Sequence, residues 1–356
     1  MLTHYSGDKR QAIRHQIQTR VIDTLSVKAL MGGLLMLGVT NTGITYAADS
    51  PSSQATMARL LPDNELIVTG VYRSQAQALS TQPLETLTAE DITAIAPADT
   101  STLLRNVRGL LVNQQGGLGG VSEVSIRGSE SNFVSAFIDG VAVNDPVNSR
   151  GGSFNFNALS PAIIDKIEVL RGPNSAIYSS GALGGAIHVV TLTPSDTPLG
   201  SLSLDAGERG YTNGSFKFTG RTDKIDYGVR VASLDSGSDM PESRYQSDEM
   251  AGLLRYQFTD EVHTQFNFRY ANDKRESLPE QSGGPLYAVD RQLENGSSEE
   301  WNGHFLLQAK HNAWWQSHIE ASYFNRRSNT LSPGIFPYSA IPATEDHTCL
   351  LYTSDA

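Results

Sequence analysis

Two glycine-rich stretches carry the residue types of a polar binding pocket. Gln114 and Gln115 open the first, which runs through Gly116, Gly117, Leu118, Gly119 and Gly120 to Val121. Asn144 opens the second, which holds Asn148, Arg150, Phe154 and Asn155 and ends at Phe156. Amide groups, a guanidinium and aromatic rings among glycines suit a ligand held by hydrogen bonds and stacking. Neither stretch ends in Gly-Lys-Ser/Thr, and no G-x-G-x-x-G opens a helix after a strand, so a nucleotide site is not expected. The plainer alternative is a surface connection.

Further along, Asp235, Asp239, Glu242, Asp248 and Glu249 fall close together. Oxygen donors at this density could hold calcium through Asp235, Asp239 and Asp248, and a solvated acidic loop is the alternative. Arg127 and Arg171 each follow an apolar run and precede a Gly, which puts their guanidinium groups at a surface and leaves them able to fork onto carboxylates. Catalytic constellations are missing. There is no G-x-S-x-G, no H-E-x-x-H and no Cys/His spacing for zinc. The single Cys, at 349, forms no intramolecular disulfide. The chemistry on offer is binding, not turnover, and no cofactor is expected beyond the possible calcium.

The elements that position these residues lie mainly between Asn106 and Thr191. Ser125-Ile126-Arg127-Gly128, Phe137-Ile138-Asp139-Gly140-Val141, Ile167-Glu168-Val169-Leu170-Arg171-Gly172-Pro173 and Gly181-Ala182-Leu183-Gly184-Gly185-Ala186-Ile187 each couple an apolar run to a Gly. Each reads as a strand entering a tight turn, where φ can be positive or two backbones touch. Leu84 to Leu87 is a short strand, and Thr88 with Asp91 forms a capping-box start for a helix over 89–94. Asp99 or Thr100 caps a second helix that carries Leu103, Leu104 and Val107 on one face. Ser160-Pro161 opens a further short helix with Pro at its first position, ahead of a strand over 165–170. The prediction is a compact α+β domain.

In this order the motifs "IRG", "IDGV", "IEVLRGP" and "GALGGAI" resemble the plug domain of TonB-dependent outer-membrane receptors. The resemblance extends over residues 63 to about 330 and is strongest over 106–191. It implies that the two glycine-rich stretches are apical plug loops touching the ligand, and that Arg127 and Arg171 meet carboxylates of the barrel wall. It also implies a docking segment. Asp63-Asn64-Glu65-Leu66-Ile67-Val68-Thr69-Gly70 is a β-prone run inside a Ser/Gln/Ala/Pro lead, suited to adding a strand to another protein's sheet edge. Glu65, Leu66, Ile67, Val68 and Thr69 are similar to the TonB box that pairs with the periplasmic energy transducer. An ordinary first strand of the plug is the alternative reading.

The ends and the remainder of the chain fit that expectation. Basic Lys9, Arg10, Arg14, Arg20 and Lys28 precede an apolar run over 29–39, and small residues at 45–48 follow; this reads as an export signal over 1–48. Lys+Arg 27 against Asp+Glu 38 leaves the chain acidic, which argues against nucleic acid as a partner. Mean hydropathy is -0.28 and hydrophobic content 39%, which fits neither a helical membrane protein nor a disordered one.

After Pro198 the period becomes two. Ile225, Tyr227, Val229 and Val231 alternate with Asp226, Gly228, Arg230 and Ala232, and Phe266, Phe268 and Tyr270 alternate with Gln265, Asn267 and Arg269. Apolar-out, polar-in strands on an exported chain are what an outer-membrane barrel requires, with an extracellular sandwich as the alternative.

The expected organisation is a signal over 1–48, a lead with the docking box over 49–75, a plug over 76–193, and the first strands of a transmembrane antiparallel all-β barrel over 199–330. About seven strands are readable against about 22 in plugged barrels, so the chain reads as an N-terminal fragment. Residues 348–356 carry no closing-strand pattern, and 345–356 is left out of the barrel. The resemblance implies energy-coupled uptake of a metal chelate, cobalamin or an iron-siderophore, with the TonB transducer and outer-membrane lipid as partners. A monomer is expected at full length. A passive porin or adhesin, or a secreted hydrolase with a β-domain, are the rival classes; the first needs no docking box or plug, and the second needs a nucleophile and base that are not visible.

Overall fold

A computed structural model describes residues 84–115, 119–146, 151–173, 181–238, 243–277, 293–312, 314–333 and the backbone of 343–355, with the short strands β1 (Leu66–Ile67) and β2 (Gln75–Ala76). β1 pairs antiparallel with β2 over two residues. The expected export signal, Glu65, Val68 and Thr69 lie outside the described residues.

The first domain begins with β3 (Leu84–Leu87) and two short helices, α1 (Ala89–Ile95) and α2 (Thr100–Leu104). Thr88 and Asp91 form the predicted capping box: Thr88 Oγ1 accepts the Asp91 N–H, and Asp91 Oδ2 accepts the Thr88 N–H at 2.9 Å. Together they satisfy two donors that a helix start leaves unpaired. Ala96 ends α1 in the left-handed region, and Pro97 cannot continue it. Asp99 caps α2 through a 2.6 Å bond from the Thr102 N–H. Leu103, Leu104 and Val107 then all reach the core, the two leucines at 0% exposure, each contributing about 1.5–3 kcal/mol of burial.

A two-stranded ribbon follows, β4 (Leu110–Gln115) with β5 (Val121–Ile126). The main sheet of this domain adds β6 (Val134–Ile138), β7 (Val141–Ala142), β8 (Lys166–Arg171) and β9 (Gly185–Val190) in the order β3-β8-β9-β6-β7. The β6–β9 pair is parallel and its neighbours antiparallel. β6 and β9 are buried along their whole length, as central strands covered on both faces must be. Asp139 and Gly140 join β6 to β7 with φ of 48° and 88°. Positive φ at both central residues is the two-residue hairpin turn that Asp-Gly favours.

Eight strands then form an antiparallel meander: β10 (Leu199–Ala206), β11 (Thr212–Arg221), β12 (Ile225–Asp235), β13 (Arg244–Thr259), β14 (Val262–Ser277), β15 (Glu294–Lys310), β16 (Gln316–Ser332) and β17 (Ala343–Asp355). Residues 343–355, given no strand from the sequence, pair with β16 from Ser332↔Ala343 to Glu320↔Asp355. Their backbone continues the meander although the local sequence lacks a strong alternating pattern. Connections at one end are short (222–224, 260–261, 311–315) and at the other, after 207–211, longer (236–243, 278–293, 333–342), the asymmetry of transmembrane barrels.

The two faces of this sheet invert the soluble pattern. Phe266, Phe305, Ile319 and Tyr323 are 40–47% exposed, while Arg269 and Glu249 are 1% exposed. Register puts Ala251, Arg269, Asn302 and Phe324 in one row across the charged face. Ala232, Ala251 and Phe324 join the same core cluster as Leu103, Ile163 and Ile187 of the first domain. The first domain therefore packs on the polar side of the sheet, and the other side carries the exposed apolar side chains. The expected α+β plug followed by barrel strands is the observed architecture.

Candidate functional site: the interface between plug and wall

The candidate loop residues are distributed unevenly. Gln114 lies in β4; its Nε2 donates to Asp99 Oδ2 at 3.0 Å and its Oε1 accepts from Arg105 at 2.9 Å. Gln115 ends β4 opposite Val121. Asn148 and Arg150 lie outside the described residues. Asn144 accepts the Ala136 N–H at 2.7 Å and donates to the carbonyls of Val134 and Gly152. Its amide thus stitches the second loop to β6.

Phe154, expected to stack on a ligand, is 4% exposed and meets Phe156 edge-on at 5.0 Å within the core. Asn155 accepts the N–H groups of Ser122 and Asn157. Four of the expected ligand-facing side chains, Gln114, Asn144, Phe154 and Asn155, therefore hold the plug together in this structure. An apolar ring gains more from core burial than from solvent, and a loop amide is most easily satisfied by nearby backbone.

Among the loop glycines, Gly119 has a geometric reason to be Gly. A side-chain carbon there would run into the ring of Tyr245 on β13, so the plug loop and the wall touch backbone to ring.

The arginines behave differently from one another. Arg127 is exposed at φ 52° and has no side-chain partner among the described residues. Arg171, expected to reach a barrel carboxylate, instead pairs with Glu85 of β3 and donates to the Arg108 carbonyl at 2.6 Å. The reason is the sheet order: β8 lies beside β3, so a carboxylate inside the plug is the nearer one.

Two members of the acidic cluster have other partners. Arg244 forks onto Asp235 at 3.0 and 2.5 Å, and Ser233 donates to Asp248 at 2.6 Å. Asp239 lies outside the described residues. Among the described residues no three His, Cys, Asp or Glu side chains are arranged to hold a metal.

The wall contacts that do form run opposite in polarity to the expectation. Barrel cations meet the plug: Arg230 of β12 donates to the carbonyls of Ile163 and Thr191, both at 3.0 Å, and to Asp165 at 3.3 Å. Lys217 of β11 pairs with the same Asp165. One barrel carboxylate also meets the plug, Glu249 accepting the Ser160 N–H at 2.7 Å. Glu249 is held in turn by Arg269, which bridges to Glu300 at 2.5 Å. His304, bonded to Glu320 at 2.8 Å, lies over Gly140 in the β6–β7 turn, where a side-chain carbon would approach its ring to 3.2 Å.

Sequence alternation marks Arg230 and Arg269 as polar-face residues. It contains nothing that names their partners 20 to 67 residues away.

Two buried titratable groups lie inside the plug. Asp139 accepts the Thr191 N–H and Oγ1 at 2.9 and 2.7 Å, and burial pushes its carboxyl pKa up despite those bonds. His188 stacks on Phe137 with ring centres 4.7 Å apart and planes 6° from parallel. Burial, with the Lys166 charge nearby, lowers its pKa to about 3.

Comparison with known proteins places this arrangement among related folds. Residues 76–186 match the family model described as TonB-dependent Receptor Plug Domain. The chain is similar to the vitamin B12 transporter BtuB of Vibrio vulnificus, 24% identical over 284 residues that span 75% of this chain and 45% of the relative. Among solved structures, the ferric-catecholate import receptor Fiu from E. coli K12 superposes with a TM-score of 0.59 at 14% identity, over 77% of this chain and 45% of that one. The ferric enterobactin receptor PfeA of Pseudomonas aeruginosa gives 0.56 at 18% identity, over 77% and 46%. The chain spans under half the length of these relatives.

Proposed function

We propose, from the premise that this chain belongs to the TonB-dependent receptors with residues 76–186 as its plug, that the complete protein imports a metal chelate across the bacterial outer membrane. Cobalamin and iron-siderophores are the ligand classes, as the names of the relatives suggest. The observation that carries this reading is the plug packed on the charged face of a sheet whose other face exposes Phe266, Phe305 and Tyr323. A passive pore has no use for such an obstruction. Removing it during transport requires work, for which residues 65–69 are the proposed point of attachment to the energy transducer by strand addition.

On this reading the export signal over 1–48 delivers the chain to the periplasm. The loops holding Gln114, Gln115, Asn144, Asn148, Arg150, Phe154 and Asn155 lie toward the external ligand, those now engaged internally becoming available as the plug rearranges. Arg127 is proposed to meet a carboxylate of the wall. Binding is not accompanied by covalent chemistry, and the protein is proposed to be no enzyme.

Uptake of radiolabelled cobalamin and of a labelled ferric siderophore, measured with and without a proton-motive force, tests the reading. Accumulation of either ligand that stops when the force is collapsed supports it; accumulation indifferent to the force makes the protein a passive channel.

A further inference from the structure

The plug's wall contacts are concentrated beside its covalent exit. Asp165, Ile163 and Ser160 lie on the segment before β8, and Thr191 directly follows β9. These two segments are tied to each other, because the Asp165 N–H donates to Val190 O at 2.8 Å and Asp139 holds Thr191 through its N–H and hydroxyl. Arg230 then spans both, binding Ile163 O on one and Thr191 O on the other from a single guanidinium nitrogen. Lys217 and Arg230 share Asp165, whose side chain is 6% exposed, and Glu249 takes the Ser160 N–H. One residue beyond Thr191, Leu192 is 3% exposed against the Gly228 backbone of β12. From 193 to 198 the linker is mostly exposed, and its own ties are a hydroxyl pair between Ser195 and Thr219 and an exposed ion pair between Asp196 and Arg221.

Charge-assisted bonds in a site shielded from water hold more strongly than exposed ones. The linker's contacts, a neutral hydroxyl pair and an exposed ion pair, are the weaker set.

We propose that Arg230 and Lys217, gripping Asp165 and the carbonyls of Ile163 and Thr191, form a non-covalent staple that holds the plug to the wall independently of the peptide link through 193–198. These are positioning residues: they fix where the plug sits. Tension applied to the N-terminal segment reaches the wall through this staple rather than through the linker. The proposal rests on the plug-in-barrel architecture and not on energy coupling at 65–69, so it stands or falls separately from active transport.

The test cuts the linker. In a receptor with its complete barrel, residues 194–197 are replaced by a site-specific protease sequence and cells are treated with the protease. Entry of a glycopeptide antibiotic too large for porins is measured, together with recovery of the plug fragment in washed outer membranes. The variant Arg230→Met, Lys217→Met and Asp165→Asn removes both signs of charge together, so no lone buried ion is left.

Uncut, native and variant receptors should both exclude the antibiotic. After cutting, the native plug should stay with the membrane and exclusion should persist, while the variant loses its plug and antibiotic sensitivity rises at least tenfold. Loss of the native plug on cutting, or retention of the variant plug, overturns the proposal. Should the triple variant leak before cutting, Arg230→Met alone is cut instead, with heat-modified gel mobility confirming a folded barrel, and the same two outcomes decide.

Discussion

Glu249 of the wall accepts the backbone N–H of Ser160 in the plug across 2.7 Å. Its other oxygen receives Nε and Nη2 of Arg269 at 3.0 and 2.7 Å. One carboxylate thus links a strand-borne cation to the first turn of a plug helix, and both charged partners are 1% exposed or less. Removing Arg269 leaves Glu249 and Glu300 buried without their shared cation. Arg269→Ala should therefore cost about 3–5 kcal/mol, the usual cost of breaking a buried pair from one side. Glu249→Gln, which keeps an acceptor for Ser160, should cost less. Urea midpoints of the complete receptor in detergent measure both; equal midpoints for Arg269→Ala and the native protein would show that the triad contributes nothing.

Arg171 pairs with Glu85 inside the plug, so its loss should weaken the plug rather than open the pore. The pair is part-exposed, at 12% and 29% of the side chains, and solvent screening limits its coupling to about 0.5–1 kcal/mol. A double-mutant cycle with Arg171→Ala and Glu85→Ala on the plug expressed alone should return a coupling of that size. Antibiotic exclusion by the complete Arg171→Ala receptor should be unchanged. A leak would place the important partner of Arg171 on the wall after all.

Residues 71–191 expressed alone should be soluble, since their helices and loops cover the sheet. Residues 200–340 should aggregate through an apolar face and unpaired edges. In the soluble plug, His188 makes stability depend on pH. Its folded pKa of about 3 lies below the ordinary 6.5, so between those values the unfolded chain binds a proton that the folded one refuses. Stability is full above about pH 6.5 and falls as pH drops towards 3, by up to about 5 kcal/mol over the whole window. Asp139, with its pKa raised, works in the opposite sense and offsets part of this at the acid end. Denaturant titrations at several pH values should show the slope, and His188→Leu should flatten it. An unflattened slope would assign the acid sensitivity elsewhere.

The coupling segment is tested by backbone chemistry. If residues 65–69 dock as an added strand, side-chain swaps are tolerated, but Val68→Pro removes a donor and restricts Ile67. The variant receptor should insert and bind ligand normally yet fail to accumulate it, with binding and uptake measured on the same cells. Normal accumulation would mean that these residues are not the coupling element, and lost binding would make them a strand of the plug.

What the sequence determined by itself is whatever depends on near neighbours. The Thr88–Asp91 box, the Asp99 cap, Pro161 at a helix start and the Asp139-Gly140 turn are each decided within four residues, and all appear where the residue types put them. Alternation over β12 and β14 likewise fixed which residues face the plug, because side chains in a strand change sides at every step.

Only the tertiary structure decided who meets whom. That Arg171 turns to Glu85 and not to a wall carboxylate, that barrel cations grip Asp165 of the plug, and that Phe154 enters the core all depend on sheet order and register. So does the pairing of 343–355 as β17, which follows from the neighbouring strand β16 and not from a pattern of its own. The physical reason is that a charge or a ring is satisfied by whichever partner the fold brings near. Contacts such as Ser160 with Glu249, 89 residues apart, leave no trace in the local sequence.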